Sequence, residues 1–157
     1  MKKFFGRRRS KTWLAVDQAG LTFSEPNESE KTWMAGHLQL AANLNIDVDD
    51  IAHVASFYEL LLRSWRDSPA DRRSDPNVSI NAIGTVFGEH LVRKTVLKWV
   101  VASDRFGTEH AVHDAATDTL VSPANAVSKR WSTGSSGEFI GLICSQVSLQ
   151  VGPRRLS

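Results

Sequence analysis

Asp104, Glu109 and His110 crowd into the stretch WVVASDRFGTEHAV, residues 99–112. Two carboxylates and an imidazole so close in sequence could trade a proton near neutral pH, the raw material of general acid–base catalysis. Convergence on one substrate atom depends on the backbone between them. Asp104, Arg105, Phe106 and Gly107 are the residue types of a type I turn, with Asp first and Gly where a left-handed conformation is needed. A three-residue loop over 105–107 then sets Asp104 opposite Thr108, Ser103 opposite Glu109, Ala102 opposite His110 and Val101 opposite Ala111, with Val100 facing Val112, Trp99 facing His113 and Lys98 facing Asp114. Opposite charges meet at the far end and apolar residues in the middle, each cross-strand pair contributing roughly 0.2–1 kcal/mol. This register places Asp104 and Glu109 on opposite faces. The expectation is a turn acceptor and an exposed strand charge, with no catalytic residue.

Other reactive side chains meet similar geometric objections. His110 and His113 are three apart, so a strand points them to opposite faces, and no cysteine or third histidine is near. Glu89 and His90 are adjacent on a helix and lack a ligand one turn away. His37 and His53 lie on amphipathic helices and read as partly buried or surface histidines. No metal and no cofactor are expected. Cys144 is the sole cysteine, which precludes an intrachain disulfide, suits a reducing cytosol and reads as a small core residue. STGSSGE, residues 132–138, could cradle an anion at a helix start, but it lacks the lysine and the preceding strand of a phosphate loop and reads as a linker.

The elements that position these groups follow from periodicity. Ser24, Glu25 and Pro26 suggest a helix start, and Trp33, Gly36, His37, Leu40, Ala41 and Leu44 continue at helical spacing to give a helix over about 25–44. Asp47 or Asp49 can cap a second over about 49–66, with the stripe Ile51, Val54, Ala55, Tyr58, Leu61, Leu62 and Trp65. Ser79 can cap a third over about 80–94, in which Gly84 and Gly88 sit one turn apart. Two helical glycines cost roughly 1 kcal/mol each against Ala, so close approach of another backbone is expected there. KWVVASD, TEHAVHD and TLVS follow as three short strands, then helices over about 123–131 and 137–149. The fold class is α+β, with helices packed on a three-stranded antiparallel meander in one domain. The domain spans 24–150, preceded by a basic flexible arm with a short extended segment over 1–23 and followed by a frayed tail over 151–157.

Composition restricts function further. The chain has 157 residues, 41% hydrophobic and 23% charged, ordinary for a globular domain. Residues 1–11 hold six cations (Lys2, Lys3, Arg7, Arg8, Arg9, Lys11) and no acid; the whole chain is 19 − 17 = +2, so residues 12–157 carry 13 − 17 = −4. An acidic body argues against a broad nucleic-acid-binding face on the domain. The arm, with Phe4 and Phe5 beside its cations, could bind anionic lipid or nucleic acid. Gly6 and Arg7–Arg9 occupy the place of an apolar run, so a secretory signal is not expected.

From INAIGTVFGEHL through LKWVVASDRFGTEHAVH to LVSPANAVSKRW, the chain resembles the bacterial, largely actinobacterial, family known as domain of unknown function 3806, over about residues 28–150. The resemblance implies helices around a small antiparallel sheet, and it implies no activity and no catalytic residue. The leading functional expectation is a cytosolic, non-catalytic module binding a protein partner through the sheet or through a surface at Asp104, Arg105, Glu109, Lys129, Arg130 and Trp131. Alternatives are a membrane-surface or nucleic-acid binder acting through residues 1–11, and an enzyme using Asp104, Glu109 and His110.

Overall fold

The computed structural model describes residues 20–154 and, by backbone alone, residues 3–5 and 14–15. The expectations for the remainder of the basic arm, and for residues 155–157, lie outside the described residues.

Five helices accompany a mixed sheet: β1 (Lys3–Phe5), β2 (Leu14–Ala15), β3 (Thr22–Ser24), α1 (Glu28–Asn43), α2 (Ile51–Asp67), α3 (Pro76–Lys94), β4 (Lys98–Asp104), β5 (Gly107–Asp114), β6 (Thr119–Val121), α4 (Pro123–Thr133) and α5 (Glu138–Gln150). A single 3₁₀ turn at Ala70–Arg72 links α2 to α3. The α+β class stands, but the antiparallel sheet has four strands where three were expected. Thr22–Ser24 pairs with Val101–Ser103 and adds a strand at the β4 edge. The strand order is β2-β1-β6-β5-β4-β3, with β1 running parallel to β6.

Helix starts shift to the residues that best satisfy orphan backbone donors. Ser24 is committed to β3, so α1 begins instead at a capping box: Asn27 Oδ1 accepts from the Glu30 N–H at 2.8 Å, and Glu30 Oε1 accepts from the Asn27 N–H at 2.9 Å. Asp50, not Asp47 or Asp49, caps α2 by accepting from the Ala52 N–H at 2.9 Å. Asp75 accepts from the Asn77 N–H with Pro76 next in line, so α3 starts about one turn before the expected Ser79 cap. Of the tail expected to fray over 151–157, the described residues as far as Arg154 are held to the body: the Val96 N–H donates to Gly152 O at 3.0 Å, and Arg154 Nε donates to Val92 O at 2.6 Å.

The hairpin register is one position off the expected one. Asp104 pairs directly with Gly107, Ala102 with Glu109, Val101 with His110, Trp99 with Val112 and Lys98 with His113. Asp104 Oδ1 accepts from the Phe106 N–H at 2.8 Å, closing the reversal over Arg105 and Phe106 alone, and Gly107 has φ +144°. A side-chain acceptor at the turn therefore selected a two-residue loop, and a loop shorter by one residue re-pairs every position beyond it. Trp99 and Val112 now face the helices and join the main core with Val121, while Val100, Ala102, Ala111 and Leu120 pack with Leu21 and Phe23 on the other face. Contrary to the expected register, Asp104 and Glu109 fall on the same face of the hairpin, opposite that of His110.

The core is centred on α3. Ile80, Ala82–Gly88, His90 and Leu91 are all buried, because α1, α2, α4 and the sheet surround this helix. Gly84 and Gly88 give close backbone approach: a Cβ on Gly84 would lie 2.7 Å from Ala124 Cα, and one on Gly88 would collide with the outer ring edge of Trp99. Among the described residues, no helix is long and apolar enough to cross a membrane.

Candidate functional site

A cleft of about 200 Å³ opens where α1, α3, the hairpin and the start of α4 meet, lined by residues that include Trp33, Asn81, Thr85, Trp99, Glu109 and His110. Helical periodicity puts Glu30, Trp33 and His37 on one face of α1, since residues three and four apart stack along a helix. The same rule puts Asn81, Gly84 and Thr85 on the face of α3 that looks back at them. Gly84 and Ala124 form a floor without bulk, so the helix contact that needs a glycine also makes the hollow.

Two imidazoles hold the α1 wall. His110 Nε2 lies 3.1 Å from Glu30 Oε2, while the other oxygen of that carboxylate completes the α1 cap. Glu30 thus ties the first turn of α1 to β5. Its carboxyl is held below the usual carboxylate value, first by the Asn27 N–H, against opposing desolvation, and then by His110. His37 Nδ1 lies 3.2 Å from Thr85 Oγ1. The Thr85 hydroxyl gives its one proton to Asn81 O at 2.9 Å, so it accepts from the His37 Nδ1–H, which fixes that tautomer. The indole of Trp33 stands between the rings, edge-on to His37 at 4.3 Å and tilted to His110 at 5.2 Å. It is 42% exposed and forms the rim.

Burial, and then the nearby His110, push the pKa of His37 below its ordinary 6.5. Both Glu30 and His37 bind a proton less readily folded than unfolded. Their contribution to stability is complete above the unfolded values and is lost as pH falls through the lowered folded ones. Urea unfolding midpoints should therefore hold steady above neutrality and decline below about pH 6.5, the His37 share going first. His37→Gln, which can still donate to Thr85, should flatten the upper part of that decline; an unchanged profile would contradict the role given to His37.

The arrangement does not form a nucleophilic triad. Thr85 receives a proton from its histidine where a nucleophile would surrender one. The Glu30–His110 and Thr85–His37 pairs share no hydrogen bond. Among the described residues, no group of three or more His, Cys, Asp or Glu side chains could hold a metal ion.

Of the three residues first singled out, Glu109 and His110 are among the residues that line this cleft, from opposite faces of β5, and Asp104 serves the turn. Glu109 accepts from Ser122 Oγ at 2.9 Å, which diverts that hydroxyl from capping α4. His113 is on the opposite face from His110, stacked on Phe23 at 4.3 Å. His90 is buried, with Nδ1 2.7 Å from Val48 O, and Glu89 accepts from both Trp99 Nε1 and Arg93 Nε. Arg105 is exposed with its guanidinium over Phe106, and Lys129 is exposed. Arg130 covers Phe139, and Trp131 is 5% exposed. Trp131 thus belongs to the core and not to the expected interaction surface, because α4 turns its indole inward onto Tyr58 and Trp65. The Ser135 carbonyl accepts from Tyr58 Oη at 2.8 Å, so the glycine- and serine-rich loop is stapled to α2.

Burial pushes the Cys144 thiol up to about 12. Since each pKa unit is tenfold in thiolate, alkylation at pH 8 should be roughly a thousandfold slower in the native protein than in denaturant. Native labelling within a few-fold of the unfolded rate would overturn the packing assigned to α5.

Sequence reasoning missed Glu30, Trp33, His37, Asn81 and Thr85 as members of one site. The 30/33/37 spacing and the Asn27–Glu30 box were visible signals, but nothing local says that α1 lies against β5.

The class is now defined: an α+β domain whose central glycine-bearing helix is packed by three others and by a twisted hairpin. The family model described as domain of unknown function (DUF3806) matches residues 59–142, more than half of the 157-residue chain, and the protein belongs to that family. Neither a curated protein nor a solved structure matches the chain. The matched span runs from within α2 into α5, and so includes the floor and hairpin wall of the cleft but not the α1 wall.

Proposed function

We propose that the protein is a cytosolic, non-catalytic recognition module of bacterial type that seats one side chain of a protein partner in the cleft between α1, α3 and β5. The observation that carries this reading is the exposed Trp33, held upright between two anchored imidazoles at the rim of a glycine-floored hollow. A volume of about 200 Å³ is smaller than the roughly 300–1,000 Å³ of pockets for drug-sized ligands, and suits one inserted side chain. An exposed tryptophan is a favoured binding anchor, since it contributes a large contact area with few torsions to freeze. The committed Thr85 proton speaks against nucleophilic chemistry there, and the free Cys144 thiol suits a reducing compartment. The surface around Lys129 and Arg130 loses its aromatic anchor with the burial of Trp131.

Affinity capture from the native cell's soluble fraction tests the proposal, with Trp33→Ala compared against Leu149→Ala, a change on the far-exposed end of α5. Truncating an anchor residue typically costs about 2 kcal/mol or more of binding, some thirtyfold in affinity. The partner should be lost with Trp33→Ala and kept with Leu149→Ala. Equal recovery by both variants would reject the cleft as the docking site.

A further inference from the structure

His90 uses only half of its ring. The residue is 7% exposed on α3, and its Nδ1 lies 2.7 Å from Val48 O. A carbonyl can only accept, so Nδ1 carries a proton and the neutral ring has its lone pair on Nε2. Among the described residues nothing engages Nε2. Nor is that nitrogen sealed in, since the one fully enclosed side-chain nitrogen or oxygen without a partner among the described residues is Trp131 Nε1. With Nδ1 turned inward to the buried Val48, the opposite Cδ2–Nε2 edge is the part of the ring that lines a hollow of about 710 Å³ between α3, α5 and the start of α2. Helical spacing sets Gly141, Ser145 and Ser148 along one side of α5, where their small side chains leave this space unfilled. A Cβ on Gly141 would meet nothing within 4 Å. Ile51 and the exposed Leu142 give the hollow apolar walls.

We infer that this hollow, separate from the Trp33 cleft, binds a small apolar molecule through one hydroxyl group that donates to His90 Nε2. Its volume falls within the roughly 300–1,000 Å³ of small-molecule pockets, which the Trp33 cleft does not reach. Such pockets combine apolar walls with a few placed polar groups, and here the placed group is the imidazole. Ser145, Ser148 and Glu138 also line the hollow but are exposed, so water satisfies them. His90 is held among its neighbours, and its ring cannot turn to another partner without breaking the bond to Val48. An acceptor covered by a guest that offers it no proton loses its water without compensation, which is the basis of selection for a donor. A carboxylate guest would bring Nε2 no proton and would find no lysine or arginine among the described lining residues.

The test titrates 4-methylphenol and 4-fluorotoluene, in which fluorine of similar size replaces the hydroxyl, into the full chain while the Ile51 and Leu142 methyl and His90 ring resonances are followed. Probes this small should bind with a Kd in the millimolar range. The phenol should bind about fivefold more tightly, the scale of one neutral hydrogen bond. His90→Asn places its amide nitrogen where Nδ1 was, keeping a donor for Val48 O while removing Nε2. It should weaken the phenol about fivefold and leave 4-fluorotoluene within about twofold. Gly141→Leu fills the hollow from a position where a side chain displaces nothing, and it should abolish binding of both probes without lowering stability. If His90→Asn does not fold, the two probes on the wild-type chain still decide. Equal affinities of the two probes, or no shift at Ile51 and Leu142 with either, would overturn the proposal. So would resonances there that move with protein concentration and not with probe, which would make the hollow a contact between copies of the chain.

Discussion

Gly84→Ala should destabilise the protein by about 1–2 kcal/mol, although alanine is the better helix former by about 1 kcal/mol. The added methyl would lie 2.7–2.9 Å from the Ala124 N, Cα and Cβ atoms, and backbone at the start of a helix does not step aside as a flexible side chain does. Overpacking of this kind costs roughly 1–3 kcal/mol and sometimes more, which outweighs the propensity gain. Gly84→Val adds two more carbons at the same contact and should cost about 3 kcal/mol or more. Gly88→Ala should act in the same direction, because Trp99 is wedged under α3 with its indole N–H bonded to Glu89 at 3.0 Å and cannot swing clear. Gly36 supplies the internal control. It is an exposed α1 residue, and a Cβ there would meet nothing within 4 Å, so Gly36→Ala should stabilise by about 0.5–1 kcal/mol. Urea unfolding of the three alanine variants checks the opposite signs, and a stabilised Gly84→Ala would show that α3 and α4 are not in contact as described.

Trp131→Ala should cost about 3–5 kcal/mol, the range for deleting a large aromatic from a packed core. Its ring lies 5.7 Å from that of Trp65 and 6.2 Å from that of Tyr58, both in edge-on geometry, and it joins α4 to α2. The indole N–H has no hydrogen-bond partner among the described residues, so the loss is one of packing. A tryptophan on an interaction surface would give a different result, with stability within about 0.5 kcal/mol of wild type, as expected for Leu149→Ser at an 87% exposed position. Denaturant midpoints of the two variants separate these cases.

The elements of this fold were legible because their signals are local. The apolar stripe of α2 and the period-two runs of the sheet are written within single segments, and so is the pair of glycines that demands a close neighbour. Boundaries moved where two local signals competed: Ser24 could cap or pair, and Asn27 with Glu30 offered the more complete satisfaction of backbone donors. The hairpin register turned on a single hydrogen bond, from the Phe106 N–H to Asp104, that decides between loops of two and three residues. Trp131 was misplaced because the cations preceding it read as an exposed helix end, whereas a helix turns successive residues through about 100° and can expose Lys129 while burying Trp131. The cleft was not legible. Its walls come from residues about 80 positions apart in the chain, as in the Glu30–His110 contact, and no periodicity reports which helix face meets which strand. Asp104, Glu109 and His110 drew attention by proximity in sequence, yet the structure sends one to the turn and the others to the cleft, in company no local pattern named.

The role of the cleft is tested most directly by mapping amide and indole NMR shifts while a mixed panel of cationic, neutral and anionic small fragments is titrated into the full chain. The expected shifts centre on Trp33, Thr85, His110 and Ala124, with the indole of Trp33 among the largest. Fragments that gather instead along Leu142 and Leu149 of α5, or beside Arg63 and Arg66 on α2, and leave Trp33 unmoved would contradict it.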